Sequence, residues 1–253
     1  MLSENNREIT VLDKSNLDEC LSDLGKEYRR LAGKRMPAEI ILVGGAAVIA
    51  NYDFRPRTQD VDAMICGAGA IKDAAHNVAE KRNLSYDWLN TDFTNTSSYS
   101  PKLRQYSKYY KQFSNVLTVR TVSSEYLIAM KLCSDREYKH DQSDIAGILN
   151  EHEKSKNPIS LQQIRTAVID LYGSWDYLPE NSRSYIEKIY ENKNFEQTYH
   201  QMEASEKQTK RLLSDFEEKY PGVLKQSNLS EITAKLRAKD TAKAVDAAPD
   251  DRS

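Results

Sequence analysis

Two acids one residue apart, Asp60 and Asp62, sit in the stretch RPRTQDVDAMI. Val61, Ala63 and Ile65 alternate with Asp60, Asp62 and Met64, and this period of two predicts a strand over residues 59–66. Side chains at i and i+2 of a strand share a face, with Cα atoms ~7 Å apart. Carboxylates placed in this way repel unless a cation lies between them. Together they can hold divalent ions, including a pair ~4 Å apart of the kind used in phosphoryl transfer. Mg²⁺ or Mn²⁺ suits such hard oxygen ligands, and substrate phosphates complete the shell. Upstream, an apolar run stops at Gly44-Gly45. A strand that ends in glycines and opens a helix offers backbone N–H groups at a positive helix end, with no Cβ to keep phosphate oxygens away. A nucleoside triphosphate (NTP) can then lie with its phosphates on Gly44 and Gly45 and its metal on Asp60 and Asp62. Alone, an acid pair is most often a polar strand face and a glycine pair a turn. The ordered combination of strand, glycine pair, short helix, basic loop and acid pair is far more specific.

The elements that must position these groups read as follows. Leu17, Cys20, Leu21, Leu24, Tyr28 and Leu31 have helical spacing and predict an amphipathic helix over 17–31. Residues 39–43 form a short β-branched strand, 46–51 a helix of small residues, and 53–57 a loop, since Pro56 forbids continuation. A helix is expected over 71–81, and further strands over 84–88 and 116–120. Residues 124–136 read as a helix with Glu125 in its first turn, where the dipole favours an acid. Another helix, 141–150, packs through Ile145, Ile148 and Leu149. After a joint at HEKSKNP the spacing of Leu161, Ile164, Val168, Leu171, Tyr185, Ile186, Ile189 and Tyr190 is helical. The expected fold class is α+β: a small mixed β-sheet domain with helices over 1–155, an α-helical C-terminal region over 156–238, and a disordered tail over 239–253.

The 253 residues carry a formal net charge of -2, so no global field draws the chain to nucleic acid or membrane, and any such attraction must be local. The longest apolar run, 40–50, is well short of the ~20 residues of a membrane helix. The beginning of the chain shows no basic segment followed by an apolar one, and Cys20, Cys66 and Cys133 are scattered without CxxC spacing. The expectation is a cytoplasmic protein without disulfides, zinc site or membrane contact.

GGAAVIANYDFRPRTQDVDAMI resembles the signature of the DNA polymerase β-type nucleotidyltransferase superfamily, where a glycine-containing turn precedes a DxD metal motif. Within it the chain more closely resembles minimal bacterial enzymes of the AbiEii toxin kind and their uncharacterised relatives. Those carry a GG turn, an R-x-T-x-D-x-D strand and a later KL…D…D helix pair, which here reads EYLIAMKLCSDREYKHDQSDIAGIL. The resemblance covers about residues 17–149. It implies that Asp60 and Asp62 ligate Mg²⁺ or Mn²⁺ and that Gly44 and Gly45 receive the triphosphate. Arg57 and Thr58 would lie beside the nucleotide, Thr58 orienting the carboxylates, and Lys131 would contact phosphate oxygens. Asp141 or Asp144 would supply the later acid, with Asp144 preferred because Ile145 and Ile148 fix its helix. Two departures stand out. Gly44-Gly45 replaces the Gly-Ser found in many members, and residues 93–124 contain no Asp or Glu to provide a third metal carboxylate on a later strand.

That acid-free segment holds Lys102, Arg104, Lys108, Lys111 and Arg120, interleaved with Tyr99, Tyr106, Tyr109, Tyr110 and Phe113. Cations that neutralise phosphates and aromatics that stack on bases make Lys102, Arg104, Lys108 and Lys111 candidates for nucleic-acid contact. A tyrosine-rich loop packed on its own domain explains the composition equally well. The four histidines show no ligand spacing. The expected reaction is transfer of a nucleoside monophosphate (NMP) from an NTP to an acceptor hydroxyl, with release of pyrophosphate. The resemblance implies RNA, a tRNA end, as acceptor, in a toxin–antitoxin or phage-defence setting with a cognate antitoxin or defence partner. The alternatives are nucleotidylation of a protein or small molecule, or a non-catalytic nucleotide-binding or assembly protein that kept the fold.

Overall fold

The computed structural model describes residues 9–134, 136, 139–225 and 227–246. The expectation about the beginning of the chain therefore falls largely outside the described residues, as do positions 247–253 of the expected tail.

A two-residue strand β1 (Leu12–Asp13) leads into helix α1 (Lys14–Ala32). Asp13 starts this helix: its side chain accepts from the backbone of Ser15 and Asn16, while the Asn16 side chain accepts from the Asp13 N–H. Leu17, Cys20, Leu21, Leu24 and Tyr28 of α1 are buried, as the helical spacing predicts. β2 (Ala38–Leu42) is the central strand of a five-stranded sheet, and Ile40, Ile41 and Leu42 are fully buried in it. Burial on both faces accounts for its continuous apolar run. Next come α2 (Gly44–Asn51), the two-residue β3 (Arg57–Thr58), which pairs with β1, and β4 (Val61–Cys66). They are followed by α3 (Ala70–Arg82), β5 (Leu89–Asn90), β6 (Ser107–Phe113) and β7 (Leu117–Val122). The sheet order is β5-β4-β2-β7-β6. β2 runs antiparallel to β4, with Leu42 opposite Ala63, and parallel to β7, with Ile40 opposite Val119. This is the expected α+β fold with a small mixed sheet.

The helices α4 (Ser124–Ser134), α5 (Asp141–Lys154), α6 (Leu161–Tyr172), α7 (Glu180–Asn192), α8 (Phe195–Lys219) and α9 (Leu229–Asp246) complete the chain. α6 packs on α4 and α8 lies along α5, so these two helices lean on the sheet domain directly, while α9 packs on α8. α1 packs on α3 and meets β6 at Gly25, where a Cβ would come within 2.8 Å of the Phe113 Cβ. Among the described residues no helix is long and apolar enough to cross a membrane.

Four expectations need correction. The strand over 84–88 is absent: Leu84 and Trp88 are buried, but as anchors of a turn, with the Trp88 indole N–H donating to the Ala75 carbonyl at 2.9 Å. The strand there, β5, is only two residues long and begins at Leu89, just past the end of the expected strand. Asp60 stands just before β4 rather than within it. Residues 107–113 form the edge strand β6, closed onto β7 by a tight turn in which Ser114 and Asn115 have φ of 52° and 58°. α9 continues to Asp246, into the stretch expected to be a tail.

Candidate active site

The end of β2 meets β4 at the glycine turn. The Val43 N–H donates to the Asp62 carbonyl at 3.0 Å, which ties the turn to the acid-bearing strand. Gly44 has φ +55°, and a Cβ there would lie 3.1 Å from Asp62 Oδ2. At Gly45 a Cβ would come within 2.5 Å of Thr58 Oγ1 and 2.7 Å of an Arg55 guanidinium nitrogen. Glycine is required at Gly44 by backbone conformation and at Gly45 by space.

Gly44, Asp60, Asp62 and Lys131 line one cavity of about 230 Å³. Asp60 and Asp62 are half-buried, and among the described residues neither carboxylate has a hydrogen-bond or ion-pair partner. Burial pushes the Asp62 carboxyl above its usual 3.8, with Asp60 and Asp92 adding like charge and Lys139 and Arg136 pulling against it. A pair of unpartnered acids is what a divalent cation neutralises, so the donor set fits one. Among the described residues no three His, Cys, Asp or Glu side chains converge closely enough to enclose a metal. Phosphate oxygens and water would have to complete its shell, which is how Mg²⁺ is commonly held.

Asp92 is an acid that the sequence reading passed over. Parallel pairing sets Asn90 of β5 opposite Asp62, and Asp92, just beyond, lines the same cavity. The acid-free stretch of the sequence starts at residue 93, and a strand expected over 84–88 leaves Asp92 outside both. Reading the strand onset at Leu89 would have exposed it.

Lys131 is 4% exposed, its Nζ 3.1 Å from Asp141 Oδ1 and 2.7 Å from Asp144 Oδ2. Arg136 Nε lies 2.9 Å from Asp141 Oδ2, and Arg55 pairs with Asp144. Asp141 and Asp144 are each 2% exposed. Burial works against the Asp141 carboxylate, but the charges of Lys131 and Arg136 outweigh it and hold its pKa below the usual 3.8. Two carboxylates thus fix three cations behind the acid pair, and Lys131 faces the cavity from that cluster. Neither Asp141 nor Asp144 lines the cavity that holds Asp60 and Asp62.

Arg55 enters this cluster through its neighbour Phe54. A Cβ at Gly147 of α5 would come within 2.5 Å of the Phe54 ring, so the glycine lets that ring lie flat on the helix. Tyr52 and Tyr199 hold the same ring at centroid distances of 5.6 Å and 5.5 Å, and the Tyr199 hydroxyl donates to the Phe54 carbonyl at 3.0 Å. Arg57 is exposed and lines a neighbouring groove with Asp144, whereas Thr58 is buried beneath Gly45. From α8, the carboxylate of Glu206 accepts the Ser143 N–H at 3.0 Å and lies 3.2 Å from His140 Nδ1. A C-terminal helix therefore caps α5.

The basic segment lies elsewhere. β7 and β2 separate β6 from β4, a lateral distance of about 14 Å at ordinary strand spacing. Lys102 donates to the Asp170 carbonyl at 2.6 Å, Arg104 pairs with Glu39 at 2.9 Å, and Lys111 pairs with Asp18. Tyr106 stacks on Tyr126 at 4.0 Å. Lys108 is exposed, and among the described residues it has no such partner.

A family model described as "Nucleotidyltransferase of unknown function (DUF6036)" matches residues 19–207, which span the glycine turn, the acid pair, the Lys131 cluster and the Glu206 cap. No curated protein and no solved structure gives a significant match.

Proposed function

This chain belongs to that family of nucleotidyltransferases, and from that premise we propose that it transfers an NMP from an NTP to an acceptor hydroxyl, with Asp60 and Asp62 holding Mg²⁺ or Mn²⁺. The observation that carries this reading is the convergence of Gly44, two unpartnered carboxylates and a buried lysine on one cavity. In the reaction the acceptor oxygen bonds to the α-phosphorus, the α–β anhydride bond breaks and its electron pair leaves with pyrophosphate. The hydroxyl proton passes to solvent or to a nearby carboxylate. When bound, the divalent ion supplies positive charge against the phosphate oxygens. The N–H groups after Gly44 receive the phosphate tail, Arg55 and Lys131 add fixed positive charge, and Asp141 and Asp144 keep those cations in place before substrate arrives. Positioning and charge provide most of the acceleration, and no histidine nucleophile is required.

The acceptor in this reading is RNA, a tRNA end, in a toxin–antitoxin or phage-defence setting with a cognate antitoxin or defence partner; resemblance to the AbiEii kind supports it. Three free cysteines agree with a reducing cytoplasm. One observation favours a second reading, a nucleotide-binding protein without turnover: Lys131 is engaged by carboxylates on two sides. Incubation with Mg²⁺, each labelled NTP in turn and an RNA pool separates the two. Label should move to RNA, and Asp62→Asn and Gly44→Ala should each abolish the transfer. Nucleotide bound without any transfer would leave the second reading standing, and label moving to protein would change the acceptor.

A further inference from the structure

A second groove, of about 220 Å³, runs between α8 and the loop that carries Arg55. Five cations line it: Arg55, Arg57, Lys139, Lys207 and Lys210. Its three carboxylates are already engaged: Asp144 by Arg55 and Lys131, Glu206 by Ser143, and Glu203 by Lys207 at 2.9 Å. Among the described residues the side chains of Arg57, Lys139 and Lys210 are neither hydrogen-bonded nor ion-paired. The groove thus presents positive charge that the fold itself does not use. Phe54 and Tyr199 supply aromatic surface within it. Lys139 lines both this groove and the cavity of Asp60 and Asp62, so the two adjoin.

We infer that this groove holds the phosphate backbone of a single-stranded nucleic acid, whose terminal hydroxyl is thereby presented to the acid pair. The assignment rests on the transferase reading and adds the path by which the acceptor reaches the site. Unpaired cations along a channel match a phosphodiester chain, and half-buried aromatic rings match its bases, which stack on them without regard to sequence. The basic edge of β6 is a poorer seat, because Lys102, Arg104 and Lys111 are bound to the fold and the strand is remote from Asp62.

Fluorescein-labelled single-stranded RNA of mixed sequence, titrated with the full chain over a range of salt concentrations, tests the inference. The double variant Lys207→Glu/Lys210→Glu, on the exposed side of α8, should weaken binding roughly tenfold or more and reduce the log–log salt slope by about 1, the share of Lys210, since Lys207 already serves Glu203. Lys108→Glu on β6 should change neither quantity. If the α8 variant binds as the parent does, if only Lys108→Glu weakens binding, or if the parent binds no RNA at low salt, the groove assignment is overturned. Labelled-NTP transfer, read separately, distinguishes the two claims. RNA binding that depends on the α8 lysines with no transfer under any condition sinks the transferase reading and leaves the groove. Transfer to a protein that is unchanged in the α8 variant does the reverse.

Discussion

Glu206 of α8 accepts the backbone N–H of Ser143 in the first turn of α5 at 3.0 Å. This turn carries Asp141 and Asp144, which hold Lys131, so a residue of the C-terminal region reaches the candidate site through only two contacts. The first N–H groups of a helix have no partners within it, and a carboxylate placed there also opposes the positive end of the helix dipole.

Glu206→Ala should therefore destabilise the fold by about 2 kcal/mol, a fall in Tm of roughly 4–8 °C. Glu206→Gln, which can still accept the Ser143 N–H, should lose clearly less. Thermal melts of the two variants beside the parent decide the point, and equal losses would show that the charge of Glu206, rather than its acceptance of the Ser143 N–H, is what stabilises the turn.

Lys131 lies buried between two acids, and its removal leaves Asp141 and Asp144 short of positive charge in a dry environment. Lys131→Ala is expected to cost about 3 kcal/mol, the usual scale for breaking a buried ion pair from one side. Adding Asp144→Asn should return part of that loss. A double-mutant cycle by chemical denaturation should give a coupling above ~1 kcal/mol, and simple additivity would mean that the charges do not sense one another.

Asp62 and Asp141 tilt stability in opposite directions with pH. The pKa of Asp62 is raised in the folded chain, so its contribution is full below the usual 3.8 and is lost as pH climbs through the raised value. The pKa of Asp141 is lowered, so its contribution is present above 3.8 and disappears as pH falls through the lowered value. At neutral pH Asp62→Asn should accordingly raise Tm while abolishing transfer. Mg²⁺ should stabilise the parent and leave the variant unmoved, since a ligand that binds only the folded state raises Tm. A variant that melts lower than the parent at neutral pH, or that still responds to Mg²⁺, would show the acid is not an unpaired cation ligand.

Much of the sheet domain is legible in the residues. The continuous run Ile40–Ile41–Leu42 announces a strand buried on both faces, and α1 shows its buried stripe plainly. The meeting of the glycine turn with Asp62 is also local, since it follows from two strands paired side by side. β6 is hidden because it is an edge strand: Lys108, Tyr109 and Lys111 face outward, and the pattern reads as a charged loop. β5 is hidden by its length, and Asp92 with it. The employment of Asp144 by Arg55, and of Ser143 by Glu206, joins residues separated by 89 and 63 positions. No periodicity encodes such pairs, because they depend on how finished elements pack. Gly147 shows the same point in reverse: a poor helix former in sequence, it is the space into which Phe54 fits.

Because the cap on α5 is supplied 63 positions downstream, it also sets an order of events during synthesis. Chains emerge from the ribosome N-terminus first. The glycine turn and acid pair can be in place while the helix behind Lys131 still begins with open N–H groups. Only when α8 has left the exit tunnel does that helix gain its terminal partner, so a nascent chain stalled short of Glu206 would carry every motif of the site without its final anchor.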